Sequence, residues 1–254
     1  MISWRHAART HHGLVRANNE DSMHAGPHLV AVADGVGGAE AGEVASALTI
    51  ASISPLDEEQ DVVEMADRLR DAVDIANDAI RLAGEADPAI VGMGTTLTAL
   101  LLVDGRLSIA HVGDSRAYRV RDGELTQLTR DDTYVQMLVD KGSITADDVF
   151  THPHKSFVTK VLQGEPVQPH VRTITAEPGE RYMVCSDGLP DAVVAELIEE
   201  TMLAGGSVDE CADRLVELAL EGGGPDNVTV IVAEVADAPV TAAKRGFLSR
   251  LFKR

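Results

Sequence analysis

Residues 95–129 read TTLTALLLVDGRLSIAHVGDSRAYRVRDGELTQLT. Three apolar runs, 95–103, 107–112 and 117–121, are separated by short polar breaks. Asp104-Gly105 stands in the first of those breaks, and Asp122-Gly123 follows the third run. Asp-Gly between apolar runs marks a tight hairpin, because both central turn positions take φ > 0 and glycine does so without a clash. The stretch predicts an antiparallel meander from 95 to 129.

Working outward, further strand-like runs fall at 29–33, 181–185 and 228–235. Helical periodicity is clearest over 61–82, where Val62, Met65, Ala66, Leu69, Val73, Ala76 and Ile80 recur every three or four residues and share one face. A shorter, alanine-rich helix is expected at 40–53. Residues 191–202 and 207–220 read as a helical pair, with Gly205-Gly206 between them and Ser207 and Glu210 at capping-box spacing. Hairpins outnumber strand–helix–strand units. That predicts an α+β fold of mainly antiparallel sheets with helices packed outside, not a doubly wound parallel sheet. Residues 1–235 are expected to form a single domain, and 236–254 a C-terminal tail.

The chain has 254 residues and a formal net charge of −19. Aromatic residues are only 3% of the chain, so the core must be built from Ala, Val, Leu and Ile. So acidic a chain lacks the basic face that nucleic acid requires. The tail is the exception. Residues 244–254, KRGFLSRLFKR, are basic and carry apolar pairs at 247–248 and 251–252. They could dock on an acidic partner or an anionic membrane surface, or simply solubilise the chain. No apolar run reaches the ~18 residues of a membrane span, and residues 1–10 lack the apolar core of a signal peptide. Cys185 and Cys211 make no disulfide framework, and Cys185 ends an apolar run as a buried strand residue would. A cytoplasmic monomer is expected.

The chemistry lies where apolar runs end. Val30-Ala31-Val32-Ala33 delivers Asp34-Gly35, and Tyr182-Met183-Val184-Cys185-Ser186 delivers Asp187-Gly188. Val112-Gly113 leads into Asp114, and Gly222-Gly223-Gly224-Pro225 leads into Asp226-Asn227. One aspartate at a strand end is turn chemistry. Four of them, each near glycine, form a set of hard oxygen donors suited to Mg²⁺ or Mn²⁺. If they converged, they would repel one another unless cations lay between them. Arg16, in Arg16-Ala17-Asn18-Asn19-Glu20-Asp21, is a candidate phosphate clamp, because a guanidinium takes two phosphate oxygens in a fork and stays charged. The plainer reading of this run is a polar loop.

In order along the chain, Arg16-x-x-Asn19-Glu20-Asp21, Ala33-Asp34-Gly35-x-Gly37-Gly38, Gly94-Thr95-Thr96, Gly113-Asp114-Ser115-Arg116, Ser186-Asp187-Gly188-Leu189 and Asp226-Asn227 occur together. This set resembles the signature blocks of the bacterial type 2C metal-dependent protein phosphatases, over about residues 5–235. The resemblance implies a four-layer α-β-β-α sandwich with a two-metal site between the sheet edges. Asp34 and the Gly35 carbonyl, with Asp187 and Asp226, would hold two Mn²⁺ or Mg²⁺ ions. Asp21 and Glu20 would act through water or from behind the ligands, and Arg16 would hold the phosphate. Asp114, Asp187 and Ser156 would serve a third ion, Ser156 from a flap at roughly 140–160. The implied reaction is hydrolysis of phosphoserine and phosphothreonine in proteins, by a hydroxide bridging the two metals and opposing serine/threonine kinases. Kinases or their substrates would be the partners. The alternative is a non-catalytic metal-binding module of the same fold. One departure stands out. Many eukaryotic relatives carry a proton-donating His two positions after the bridging aspartate, and here Val36 occupies that place. His111, His152 and His154 are candidates by residue type alone. Asp131-Asp132 reads as the acidic start of a helix.

Overall fold

Both Asp-Gly turns form as their chemistry requires: φ is 47° and 75° at Asp104 and Gly105, and 53° and 79° at Asp122 and Gly123. The computed structural model describes residues 2–37, 41–58 and 62–237. Its strands are β1 (Ile2–His11), β2 (Asp21–Ala25), β3 (Leu29–Val36), β4 (Gly94–Thr95), β5 (Leu97–Val103), β6 (Arg106–Val112), β7 (Arg116–Arg121), β8 (Glu124–Gln127), β9 (His170–Thr175), β10 (Arg181–Cys185) and β11 (Val228–Asp237). Its helices are α1 (Ala41–Ile53), α2 (Met65–Ala86), α3 (Tyr134–Asp140), α4 (Gly188–Ala192), α5 (Ala195–Leu203) and α6 (Val208–Glu221).

The strands form two antiparallel sheets. One runs β1-β11-β10-β7-β8, the other β2-β3-β5-β6-β9 with β4 added on β3. The expected meander is therefore two hairpins in two different sheets. The far edge of β6 is taken by β9, so the chain crosses at Gly113–Ser115 and β7 pairs with β10 instead. Gly113 allows the crossing with φ of 104°.

Alternation along the strands builds three apolar layers. In β5, Leu97, Ala99 and Leu101 face α1 and α2, while Leu100 and Leu102 face the other sheet. In β10, Met183 and Cys185 face α5 and α6, while Tyr182 and Val184 face inward. A strand buried on both faces reads as a continuous apolar run, which is why β5 was legible. The layers are helix, sheet, sheet, helix, as the resemblance implied.

Residues 191–202 form two helices, not one. Val193 is extended, at φ −124° and ψ 128°, and separates α4 from α5. The 61–82 periodicity becomes α2, which begins at Met65 and continues to Ala86. Ser207 caps α6 with both hydrogen bonds of the capping box. Strands β1, β2 and β9 were not expected. They are edge strands of half-exposed, polar sequence, so no alternation announces them. No helix among the described residues is long and apolar enough to cross a membrane. Gly38 and the basic run 244–254 lie outside the described residues.

Candidate active site

Antiparallel register gathers the chemistry at one end of the sandwich. Asp21 opens β2 directly opposite Asp34 near the end of β3. Asp187 follows β10, whose last residue Cys185 pairs with Val230, and Asp226 precedes β11. Asp114 follows β6, whose Val112 pairs with Leu97 at the start of β5. Every strand that brings an aspartate ends, or begins, at this edge.

A cavity of about 460 Å³ opens there. Arg16, Glu20, Asp34, Gly35, Asp114, Ser156, Asp187 and Asp226 all line it. Asp21 is not among the lining residues; its Oδ2 accepts the Ser186 hydroxyl at 2.7 Å and its Oδ1 meets no hydrogen-bond donor. A second cavity, of about 230 Å³, lies between β7, β8 and α5 and holds a single carboxylate, Glu199. Chemistry, not shape, singles out the first.

Neighbouring threonines fix the backbone of Asp34. Its amide donates to Thr96 Oγ1 at 3.1 Å, and its carbonyl accepts from Thr95 Oγ1 and from the Thr96 amide, both at 2.8 Å. The Gly94-Thr95-Thr96 block thus supports Asp34 from behind. Gly35 lies flat against the start of α1: a side chain there would overlap Gly42 and the Glu20 carbonyl. The bare backbone leaves the Gly35 carbonyl at the cavity wall.

The electrostatics reflect crowded carboxylates. Burial, and then repulsion from Asp21, Asp187 and Asp114, holds the Asp34 carboxyl well above the usual carboxylate range. Burial and Asp114 do the same to Asp187. Asp34 and Asp187 come within hydrogen-bonding reach of each other, as two acids sharing a proton do. Asp114 is pushed up to about 7 by burial and by Asp131. Asp21 is pushed up to about 6 by burial, against the hydroxyls of Thr229 and Ser186. Among the described residues lining the cavity, Arg16 is the only cation. It sits at the mouth, with Nη2 2.6 Å from Asp226 Oδ2, an ion pair that the sequence did not reveal.

These residues fit divalent cations. The donors are all oxygens, the carboxylates outnumber the one cation that lines the cavity, and Asp21 Oδ1 is orphaned. Among the described residues no three acidic, His or Cys side chains are already drawn into a closed ligand set. The carboxylates line an open cavity.

A family profile described as Protein phosphatase 2C matches residues 10–217. The chain belongs to the protein phosphatase 2C family. The serine/threonine protein phosphatase PstP of Mycobacterium tuberculosis H37Rv is 52% identical over 233 residues, which are 92% of this chain and 45% of PstP. This chain thus spans about half the length of that relative. The protein phosphatase PhpP of Streptococcus pneumoniae R6 is 33% identical, over 88% of this chain and 94% of PhpP. A crystal structure of M. tuberculosis PstP superposes with a TM-score of 0.90 at 51% identity, covering 92% of this chain and all of that one. The catalytic domain of PstP in complex with two manganese ions superposes at 0.88, with 50% identity over 93% of this chain and all of that one.

Within this protein phosphatase 2C chain, several supporting residues escaped the sequence reading. A helix does begin here, but Asp131 and Asp132 lie just before its cap and not in its first turn. Thr133 caps α3, and its hydroxyl accepts the Gln136 amide. Asp131 instead receives Arg116 through Nε at 3.0 Å and Nη2 at 2.6 Å on Oδ2. Asn227 ties its own loop to the 12–20 loop: Oδ1 accepts the Glu20 amide, and Nδ2 donates to the carbonyls of His12 and Asn18. Its place beside Asp226 was the only signal available. His111 is a packed residue, with Nδ1 2.9 Å from Thr98 Oγ1 and Nε2 3.0 Å from the Arg130 carbonyl. His152 and His154 stand by the Tyr134 ring, with centroids 6.1 and 6.2 Å away, and do not line the cavity.

Proposed function

We propose that this chain hydrolyses phosphoserine and phosphothreonine monoesters in proteins, using divalent cations held by Asp34, the Gly35 carbonyl, Asp187 and Asp226. The observation that carries the reading is the convergence of Asp21, Asp34, Asp114 and Asp187, each held above its ordinary pKa by burial and by other acids. A purely structural cluster of this kind would be costly to keep. The PstP catalytic domain holds two manganese ions at 50% identity, and the same cations are proposed here. Glu20 and Asp21 act from behind the ligands or through water. Asp114, Asp187 and Ser156 serve a third, weaker site.

Divalent cations bound there supply the Lewis acidity that activates water and offsets phosphoryl charge. The chain does the rest. Arg16, kept protonated by Asp226, exchanges that carboxylate for two phosphoryl oxygens and orients the ester. Asp226, freed from Arg16, would then be available as a cation ligand. Thr95, Thr96 and Ser186 hold Asp34 and Asp21 so that little rearrangement accompanies the reaction. Val36 lines the cavity and has no proton to give, so the leaving alkoxide takes its proton from water or from another residue. No side chain becomes phosphorylated, and Cys185 is walled off in the core.

The non-catalytic module is disfavoured because every ligand position named by the resemblance carries an oxygen donor. Residues 1–235 are proposed as one catalytic domain that acts as a monomer in the cytoplasm on phosphorylated kinases or their substrates. The basic run 244–254 is proposed as a weak contact to an acidic partner or membrane surface. The test is Mn²⁺-dependent phosphate release from a phosphothreonine peptide. Release is expected to stop with chelator and in Asp34→Asn. Turnover that survives both would overturn the reading.

A further inference from the structure

We propose that Asp132 is a positioning residue that clamps the neck of the 135–156 segment to the Asp114 turn and so sets the affinity for phosphopeptide. The substrate part of this proposal rests on the function proposed above.

The neck is made by two short stretches, 132–134 and 157–160. The Tyr134 amide donates to the Phe157 carbonyl at 2.9 Å, and Thr133 bridges to Val158. The Asp132 carbonyl accepts the Thr159 amide at 2.7 Å and the Thr159 hydroxyl at 2.8 Å. The Asp132 side chain adds an ion pair to the same stretch: Lys160 Nζ lies 2.9 Å from Oδ1, and His170 Nε2 of β9 lies 3.2 Å from it. Val158 on this stretch, and Ser156 just before it, line the catalytic cavity.

The other side of Asp132 faces the site. Oδ2 accepts the Gly113 amide at 3.2 Å, and the Asp132 amide donates to the Gly113 carbonyl at 2.7 Å. Gly113 sits in a left-handed conformation immediately before Asp114. Its Cα packs against the Thr96 side chain, and a Cβ there would lie 2.6 Å from Thr96 Cγ2. The turn therefore has no slack toward β5, and its remaining freedom is fixed by Asp132. One buried carboxylate thus holds the cavity wall that carries Ser156 and the backbone that aims Asp114. Asp132 is only 6% exposed, and its charge is matched by Lys160 and the amide dipole of Gly113. Loss of that charge frees both elements together.

The experiment uses the Mn²⁺-loaded chain and three variants: Asp132→Asn, Lys160→Met and the double variant. Amide hydrogen exchange is followed at 113–115 and 156–162, alongside kcat and KM on a phosphothreonine peptide and on p-nitrophenyl phosphate. Asp132→Asn is expected to speed exchange in both segments. It should raise KM for the peptide about tenfold, the factor set by one charge-assisted hydrogen bond, and by more than it lowers kcat on the small ester. Lys160→Met keeps the bond to Gly113, so exchange should rise at 156–162 only. The double variant should match Asp132→Asn alone, because the two residues act as one unit. Unchanged exchange at 113–115 in Asp132→Asn, or equal losses on both substrates, would overturn the clamp. If the wild-type chain fails to turn over the peptide, the proposed function falls while the exchange data still decide the clamp.

Discussion

The Ser186 hydroxyl donates to Asp21 Oδ2 at 2.7 Å and itself accepts the Thr229 amide at 2.9 Å. Ser186 follows β10 of one sheet, and Asp21 begins β2 of the other. A single side chain therefore fixes the spacing of the two sheets under the cavity. Thr96 Oγ1 and Ser115 Oγ, 3.1 Å apart, make a second such link. Both lie in buried surroundings, where a hydrogen bond resists solvent competition. The carboxylates above them cannot drift apart to relieve their repulsion. The repulsion is left for cations to discharge.

Asp114 shows what burial, with Asp131 close by, costs a carboxylate here. Its folded pKa of about 7 lies above its ordinary 3.8, so the folded metal-free chain binds more protons than the unfolded one between those values. Stability attributable to Asp114 is intact below 3.8 and falls as pH rises to about 7. Asp114→Asn removes that loss. In chelator, the Tm advantage of the variant over wild type should open through this interval and be full above it. Thermal melts of both chains across the pH range measure it. A gap independent of pH would contradict the assignment.

Arg16→Lys keeps a positive charge but loses the fork. The loss of one charge-assisted hydrogen bond is worth roughly 1.5–3 kcal/mol, so kcat/KM on a phosphopeptide should fall about tenfold to a hundredfold. Arg16→Ala should fall further. Steady-state kinetics with saturating Mn²⁺ separate the two, and an unaffected Lys variant would remove Arg16 from the phosphate.

Gly35→Ala places a methyl group against backbone atoms of Gly42 and Glu20. Neither can move without shifting α1 or the β2 entrance. A cost of several kcal/mol is expected, at the severe end for a single methyl group. Denaturant unfolding of the metal-free variant checks it without reference to activity.

Cys185 is fully buried, and its thiol is pushed up to about 12 by desolvation. It should react with a thiol reagent only on unfolding, and native turnover should be indifferent to alkylating agents. Cys211, also buried, behaves likewise. Rapid inhibition by iodoacetamide would show that a thiol participates after all.

The sequence made some of this legible and hid the rest for physical reasons. Arg181–Cys185 is bounded as its apolar run suggested, because a strand covered on both faces has no polar positions to blur it. The two Asp-Gly turns were legible because backbone sterics leave them few alternatives. The crossing between sheets at Gly113–Ser115 was not, since a hairpin and a sheet change use the same short polar residues. β1 was missed because only Trp4 and Ala7 of its ten residues are buried, while Arg9 reaches Asp209 and Asp213 on α6. The aspartates of the site were visible one by one. That Arg16 rests on Asp226, and that Asp131 and Asp132 take up Arg116 and Lys160, depends on chain segments far apart in sequence. Local pattern carries no trace of such pairs.

The hairpins at Asp104-Gly105 and Asp122-Gly123 close the ends of β5 and β7 that lie farthest from the aspartates. The domain is therefore polar in the geographic sense: one pole holds every group proposed to meet substrate, and the other ends in these two turns. Both distal turns are solvent-facing, and Gly123 has no neighbour within 4 Å of a would-be side chain. An affinity tag, a fluorophore or a tethering peptide inserted at that pole should ride on the molecule without altering its chemistry, giving a handle for immobilising it with the cavity facing outward.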